Sequence, residues 1–310
     1  MKTVVVSGGA GFIGSHLCER LLKEGNRVIC VDNFVTGRKE NVQHLLQDKN
    51  FLLVEQDITK PFSLDEKVEQ VYNLASPASP VDFAKIPLEI LAVNSVGTRN
   101  MLELALANNA RFLETSTSEV YGEPLEHPQK ETYWGNVNSI GERSCYDEGK
   151  RFAEALIMAY AREKGLETRI VRIFNTFGPR MRKDDGRVIP NFVSQALEGK
   201  PLTVYGKGKQ TRSFCFVSDQ VDGQIKLMNS GYGLPVNVGN PVEITILELA
   251  EKVIELTGSK SKIDFKPLPK DDPTRRMPDI SLAKKEIGWQ PKVKWEAGLK
   301  QTIDWFKEND

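Results

Sequence analysis

The sequence predicts an α/β protein built on a doubly wound parallel sheet, with a smaller mixed α/β domain toward its C-terminus. Three observations predict it. Short apolar runs alternate with amphipathic helical stretches as far as Phe174, a glycine-rich turn joins the first strand to the first helix, and beyond Phe174 the rhythm breaks into short strands and basic loops.

Thr3 to Ser7 reads as the first strand, and Gly8-Gly9-Ala10-Gly11-Phe12-Ile13-Gly14 opens a helix that runs to about Glu24. Glycines at Gly8, Gly11 and Gly14 let backbone amides approach a pyrophosphate and aim the positive helix end at it. The next strand, Arg27 to Val31, ends in Asp32, placed where a carboxylate binds the adenosine ribose hydroxyls. Asp32 would repel a 2′-phosphate and so favours NAD over NADP, against the opposite hint of Arg38. A Gly-x-x-x-x-Gly-Lys-Ser/Thr loop is absent, so a nucleotide triphosphatase is not supported.

Strand and helix then alternate. Phe51 to Val54 ends near Asp57-Ile58, Gln70 to Leu74 runs into Ala75-Ser76-Pro77-Ala78-Ser79, and a helix spans Pro87 to Asn108. Arg111 to Ser116 follows as a strand, then a helix that begins near Tyr146, then a strand from Thr168 to Phe174. The pattern is Rossmann-type. The loop from Gly122 to Cys145, which carries Trp134, is long enough to overhang a site at the sheet edge.

After Phe174 come Asn175 and Thr176, a basic loop with Arg182, Lys183 and Arg187, a helix from Val188 to Leu197, and a strand from Leu202 to Tyr205. Phe216 to Asn229 and Pro235 to Val238 read as a helix and strand that return to the main sheet. Helices near Thr245 to Leu256 and Trp295 to Lys307 complete the chain. The expected division is 1–175, with 213–240 returning to it, as the NAD-binding domain, and 176–212 with 241–310 as the substrate domain. Lys183, Lys207 and Lys209 read as solvated surface. Arg212 and Arg276 read instead as a clamp for the diphosphate of a second nucleotide, because guanidinium forks meet phosphate bidentately.

The chemistry is expected where Thr115-Ser116-Thr117-Ser118-Glu119-Val120-Tyr121-Gly122 meets Tyr146-Asp147-Glu148-Gly149-Lys150. Tyr146 and Lys150 are four apart and share a helix face. An ammonium beside the phenol, together with a cationic nicotinamide, would lower a phenol pKa of about 10 into working range. Tyr160 and Lys164 repeat the spacing, but lie about 21 Å further along the helix, beside Gly165, and read as a surface pair.

Composition excludes several classes. Lys plus Arg equals Asp plus Glu, 42 each, which gives no basis for a broad nucleic-acid or membrane surface. Four cysteines without a Cys-x-x-Cys pair, and three histidines, predict neither a disulfide framework nor a metal site. Met1 leads straight into a strand with no signal-like segment and no long apolar run, so the expected location is the cytoplasm.

These motifs together resemble the extended short-chain dehydrogenase/reductases that act on nucleotide sugars. The likeness is closer to the UDP-glucuronate decarboxylases, through Asp32-Asn33-Phe34 to Gly37-Arg38-Lys39, Ala75 to Pro80, Thr115 to Gly122, Tyr133-Trp134-Gly135, Cys145 to Arg151, Arg172 to Met181, Leu202 to Gly206, Gln210 to Phe214 and Asp271-Asp272-Pro273. The resemblance implies a homodimer formed by the helices Pro87 to Asn108 and Tyr146 to Lys164. It implies catalysis by Thr117, Ser118, Glu119, Tyr146 and Lys150. It implies NAD held by Gly8, Gly11, Phe12, Ile13, Gly14, Asp32, Asn33, Gly37, Arg38, Asp57, Ile58, Leu74, Ala75, Tyr146, Lys150 and Thr176. Substrate would meet Pro77, Trp134, Asn175, Arg187, Tyr205, Arg212 and Arg276.

The expected reaction is oxidation of UDP-glucuronate at C4, loss of CO2 from the 4-keto acid and re-reduction to UDP-xylose. Ser118-Glu119 stands where related dehydratases carry Asp-Glu. Glu119 would either bind sugar hydroxyls or raise the energy of the substrate carboxylate. The alternatives are an oxidative decarboxylase that releases UDP-4-keto-pentose and NADH, a UDP-uronate 4-epimerase, and a non-catalytic NAD-sensing protein, the last opposed by the intact Thr117, Tyr146 and Lys150.

Overall fold

A computed structural model describes residues 1–267 and 275–309. The first elements are β1 (Thr3–Ser7), α1 (Phe12–Lys23), β2 (Arg27–Asp32), β3 (Phe51–Glu55), β4 (Gln70–Asn73), α2 (Pro80–Phe83), α3 (Pro87–Ala92), α4 (Thr98–Asn108), β5 (Arg111–Thr117), α5 (Ser144–Lys164) and β6 (Thr168–Ile173). Then follow β7 (Thr176–Phe177), α6 (Val188–Leu197), β8 (Leu202–Tyr205), β9 (Thr211–Ser213), β10 (Cys215–Phe216) and α7 (Val217–Asn229). The last are β11 (Pro235–Val238), β12 (Glu243–Thr245), α8 (Ile246–Thr257), β13 (Ile263–Lys266), α9 (Ser281–Ile287) and α10 (Trp295–Asn309).

Seven parallel strands form the main sheet in the order β11-β6-β5-β4-β1-β2-β3. The direction of winding reverses between β1 and β4, which opens a crevice at their carboxyl ends, where ligands bind in such sheets. Alternation along β1 splits the core. Val4 and Val6 belong to the layer that includes Leu17 of α1 and Val221 of α7, whereas Val5 packs with Met101 of α4 and Ile157 of α5. Both faces are covered, which is why these strands read as continuous apolar runs.

Pro235–Val238 pairs with β6, as the returning stretch was expected to do. The predicted Pro87 to Asn108 helix runs through but holds a π-helical turn at Val93–Gly97. There the buried Asn94 side chain donates to Ile90 O (2.9 Å) and to Ser76 Oγ (3.0 Å). Thr245 caps α8 in a reciprocal box with Glu248, and α5 ends on a left-handed Gly165.

The small pairings were not predicted: β7 with β10, β12 with β9, and β13 with β8. Strands of two to four residues carry too little alternation to be read locally. The Asp271-Asp272-Pro273 stretch of the resemblance lies outside the described residues.

Among the described residues no helix is long and apolar enough to cross a membrane, and no cluster of three or more His, Cys, Asp or Glu could hold a metal ion. All four cysteines are buried free thiols.

Candidate active site

The glycine turn is shaped by contacts that exclude side chains. Gly8 has a left-handed φ of 69°, and a Cβ there would lie 2.8 Å from the backbone of Ala75. A Cβ on Gly14 would come 2.1 Å from the Gly8 carbonyl oxygen. The first turn of α1, with Phe12 and Ile13, is thereby held against the carboxyl ends of β1 and β4, where Leu74 donates its N–H to Ser7 O at 3.0 Å. Such a cradle fits a pyrophosphate.

Asp32 closes β2 beside it. Its two oxygens accept the N–H groups of Ala10 and Phe34, each at 2.9 Å, and burial raises its pKa against those bonds. A Cβ on Gly37 would lie 2.7 Å from either oxygen, so the Asn33–Arg38 turn packs directly over the carboxylate. The Asn33 and Arg38 side chains are exposed. Asp57 and Ile58 follow β3. The Asp57 carboxylate is engaged by Thr59 N (2.9 Å) and Oγ1 (2.8 Å), and Ile58 is buried with its carbonyl held by Asn100 (2.7 Å).

A cavity of about 500 Å3 adjoins this crevice. Its wall includes Thr117, Ser118, Glu119, Tyr146, Asn175, Thr176, Arg187, Tyr205, Arg212 and Arg276, so residues from distant parts of the chain meet in one place. Tyr146, in the first turn of α5, stacks on Phe83 with ring centroids 5.0 Å apart and is hydrogen-bonded to Thr117.

Lys150 has partners that were not expected. Its ammonium is buried and donates to Glu114 Oε1 (2.8 Å) and to the Thr115 carbonyl (2.9 Å). The pKa of the Tyr146 phenol is raised, because burial outweighs the lowering by the Lys150 charge and the Thr117 hydrogen bond. The Lys150 charge thus acts on the phenol in the expected direction, against the burial. Glu114 was missed, although a lone charge between Leu113 and Thr115 in an apolar strand is a sequence signal for a buried partner.

Glu119 does not present an unpaired charge. It binds the Arg143 guanidinium and Arg276 Nη1 (2.9 Å). Burial works to raise its pKa, but Arg276 and Arg143, and then Arg212, hold the carboxyl below its ordinary range. Ground-state repulsion of a substrate carboxylate is thus opposed by the surrounding cations. Arg143, which lies one helical turn ahead of Tyr146, was also missed.

Arg276 corrects the expectation of a diphosphate fork. It is 2 % exposed, and its guanidinium donates to Ser118 O (2.6 Å), Ser118 Oγ (3.3 Å), Glu119 Oε1 and Gly122 O (3.0 Å). Those bonds tie down the 3-10 turn Ser118–Tyr121. Trp134 is a second correction: its ring is 89 % exposed and outside the cavity. The backbone is what docks there, the Trp134 carbonyl accepting from Arg151 at 2.7 Å. Pro77 is half-buried and likewise off the cavity wall, to which its neighbours Ala78 and Pro80 contribute. Arg187 faces the cavity bound to Asp185 (2.7 Å), and Thr176 Oγ1 donates to Phe174 O (2.8 Å). Tyr160 is joined to Glu103 across α4 and α5, away from the site.

A glycine cradle at the switch point of a parallel sheet, with a tyrosine and lysine one helical turn apart beside it, defines a class of nucleotide-dependent α/β enzymes. The family model described as GDP-mannose 4,6 dehydratase matches residues 5–302. UDP-glucuronic acid decarboxylase 1 of Arabidopsis thaliana is 56 % identical over 98 % of this chain and 69 % of its own length. UDP-glucuronic acid decarboxylase 1 of Danio rerio is 53 % identical over 98 % of this chain and 72 % of its own. The crystal structure of UDP-glucuronic acid 4-epimerase from Bacillus cereus, in complex with UDP-glucuronic acid and NAD, superposes with a TM-score of 0.88 at 27 % identity, covering 99 % of this chain and 100 % of that one. The chain belongs to the UDP-glucuronic acid decarboxylases, within the extended short-chain dehydrogenase/reductase family.

Proposed function

We propose that this chain converts UDP-glucuronate to UDP-xylose, with NAD held through each turnover. The observation that carries this reading is the meeting of Tyr146 and Thr117 with Arg187 and Arg212 around one cavity. A proton-transferring pair faces a pocket whose cations suit a uronate and a diphosphate.

Gly8, Gly11 and Gly14 would cradle the pyrophosphate of NAD, and Asp32 would accept the ribose hydroxyls with its remaining lone pairs. When bound, NAD supplies a hydride acceptor for C4 of the sugar and later a hydride donor to the same carbon. Tyr146 takes the proton of the C4 hydroxyl as the ketone forms. Thr117 donates a hydrogen bond to that oxygen, where negative charge develops as CO2 leaves and the C5–C6 bonding pair moves toward the C4 carbonyl. A proton is then delivered to C5, and Tyr146 returns its proton to the C4 oxygen. Glu119, neutralised by its arginines, orients Ser118 and the turn that carries Thr117. Asn175, Arg187, Tyr205 and Arg212 would receive the nucleotide sugar.

The domain division at 175/176, with 213–240 returning to the first domain, is part of the same proposal. So is a homodimer through α3, the π-helical turn, α4 and α5, where Leu88 and Leu91 of α3, Val96 of the turn and Phe152 of α5 are exposed to solvent. Four free thiols accord with a reducing compartment, the cytoplasm.

The test is incubation with UDP-glucuronate, with and without NAD, following NADH absorbance and identifying products by mass and proton NMR. UDP-xylose without accumulating NADH is the expected result. Stoichiometric NADH with a keto-pentose would move the assignment to the oxidative decarboxylase, and a product of unchanged mass to the 4-epimerase.

A further inference from the structure

Behind the cavity lies a buried polar row that the mechanism leaves unused. Ser7, Asn73 and Glu114 are register partners on the adjacent parallel strands β1, β4 and β5, so their side chains share one face of the sheet. Ser7 Oγ donates to Asn73 Oδ1 (2.6 Å), and Asn73 Nδ2 donates to Glu114 Oε2 (2.6 Å) and, at 3.3 Å, to Thr98 Oγ1. Glu114 Oε1 accepts from Lys150 Nζ (2.8 Å). The Glu114 side chain is 0 % exposed and that of Lys150 2 %. An isolated carboxylate in that position would be expensive, and it is retained here with both oxygens hydrogen-bonded.

An ammonium has three N–H donors. Glu114 and the Thr115 carbonyl take two of them, which fixes the rotation of the group and leaves one donor for the cofactor and the phenol. The other end of the row is Ser7, the residue that leads into the glycine cradle. The titratable groups around the phenol and ammonium are Glu114 on β5, Tyr146 on α5 itself, and Glu119 and Asp147, which act on the phenol.

We propose that Glu114 is a positioning residue for the reaction. Its carboxylate, braced through Asn73 from the strand that carries the glycine cradle, aims the single remaining N–H of Lys150. This rests on Tyr146 as the base of the proposed reaction, with Lys150, one helical turn on, as its cationic neighbour. It goes beyond that assignment by making a buried strand residue, remote from substrate, a determinant of turnover rather than of binding.

The experiment compares Glu114→Leu, which removes the acceptor, with Glu114→Gln, which keeps one of similar shape. Glu114→Leu is expected to lower kcat roughly 10- to 100-fold with KM for UDP-glucuronate within about twofold, and Glu114→Gln to recover most of the loss. In the protein without substrate, the nitrogen-15 ammonium NMR signal of Lys150, assigned through Lys150→Arg, is expected in wild type and Glu114→Gln and absent in Glu114→Leu. That arm decides the positioning role even if wild type makes a product other than UDP-xylose. Should Glu114→Leu fail to fold, Asn73→Ala, which unties the carboxylate but leaves it in place, is expected to reduce kcat several-fold at unchanged KM. An unchanged kcat in the variant that folds, a Gln variant as impaired as the Leu variant, or a Lys150 signal indifferent to residue 114 would overturn the proposal.

Discussion

Arg276 Nη1 lies 2.9 Å from Glu119 Oε1, although 157 positions separate the two in sequence. The same guanidinium holds the Ser118 and Gly122 carbonyls, so it fixes the turn between β5 and the loop that leads to α5. Arg276→Ala leaves a buried carboxylate and two carbonyls each short of one partner. Loss of about 3 kcal/mol of stability is expected, at the lower end for a broken buried pair because Arg143 still holds Glu119. Urea unfolding measures it. Arg276→Lys, without the fork, is expected to recover less than half.

Tyr146→Phe keeps the stack on Phe83 and removes only the hydroxyl. Turnover is expected to fall roughly 10²- to 10⁴-fold, with little change in substrate affinity. Formation of NADH absorbance on mixing with UDP-glucuronate at the wild-type rate would contradict its role as base.

Asp147 has a buried oxygen, Oδ1, without a hydrogen-bond partner, and its pKa is raised to about 7 by burial and then by the Glu119 charge. The folded pKa lies above the unfolded value of about 3.9. Its contribution is therefore fully present below the unfolded value and lost as pH rises through about 7. Wild type should be less stable at pH ~8 than at pH ~5 by the part of this contribution still present at the lower pH, and Asp147→Asn should narrow the gap. Denaturation midpoints at the two pH values decide the point.

Gly14→Ala forces a Cβ to within 2.1 Å of the Gly8 carbonyl oxygen, so the cradle must open. NAD affinity is expected to weaken by about tenfold or more, ~1.4 kcal/mol, as read by calorimetric titration. Wild-type affinity in this variant would place the dinucleotide elsewhere.

Trp134→Ala removes a ring that is 89 % exposed. Steady-state kinetics are expected to stay within about twofold of wild type, and stability within ~0.5 kcal/mol. A large rise in KM would show that the ring turns inward over bound substrate.

The sequence by itself determined the main parallel sheet, the order of its strands and of the long helices, and the stations of the glycine cradle, Asp32, Thr117 and Tyr146. Those features are local: apolar alternation, a glycine turn and a four-residue helical spacing are written within a few consecutive residues. It also marked Glu119, Arg212 and Arg276 as functional candidates, but could not say what each would touch. Only the tertiary structure decided that Arg276 is spent on the Ser118 turn, that Lys150 turns to Glu114, and that Trp134 faces solvent. A charge has no sequence-local signature for its partner. Which carboxylate an arginine or lysine meets is settled by the packing of strands and helices far apart in the chain, and a buried charge must take the partner that this packing supplies.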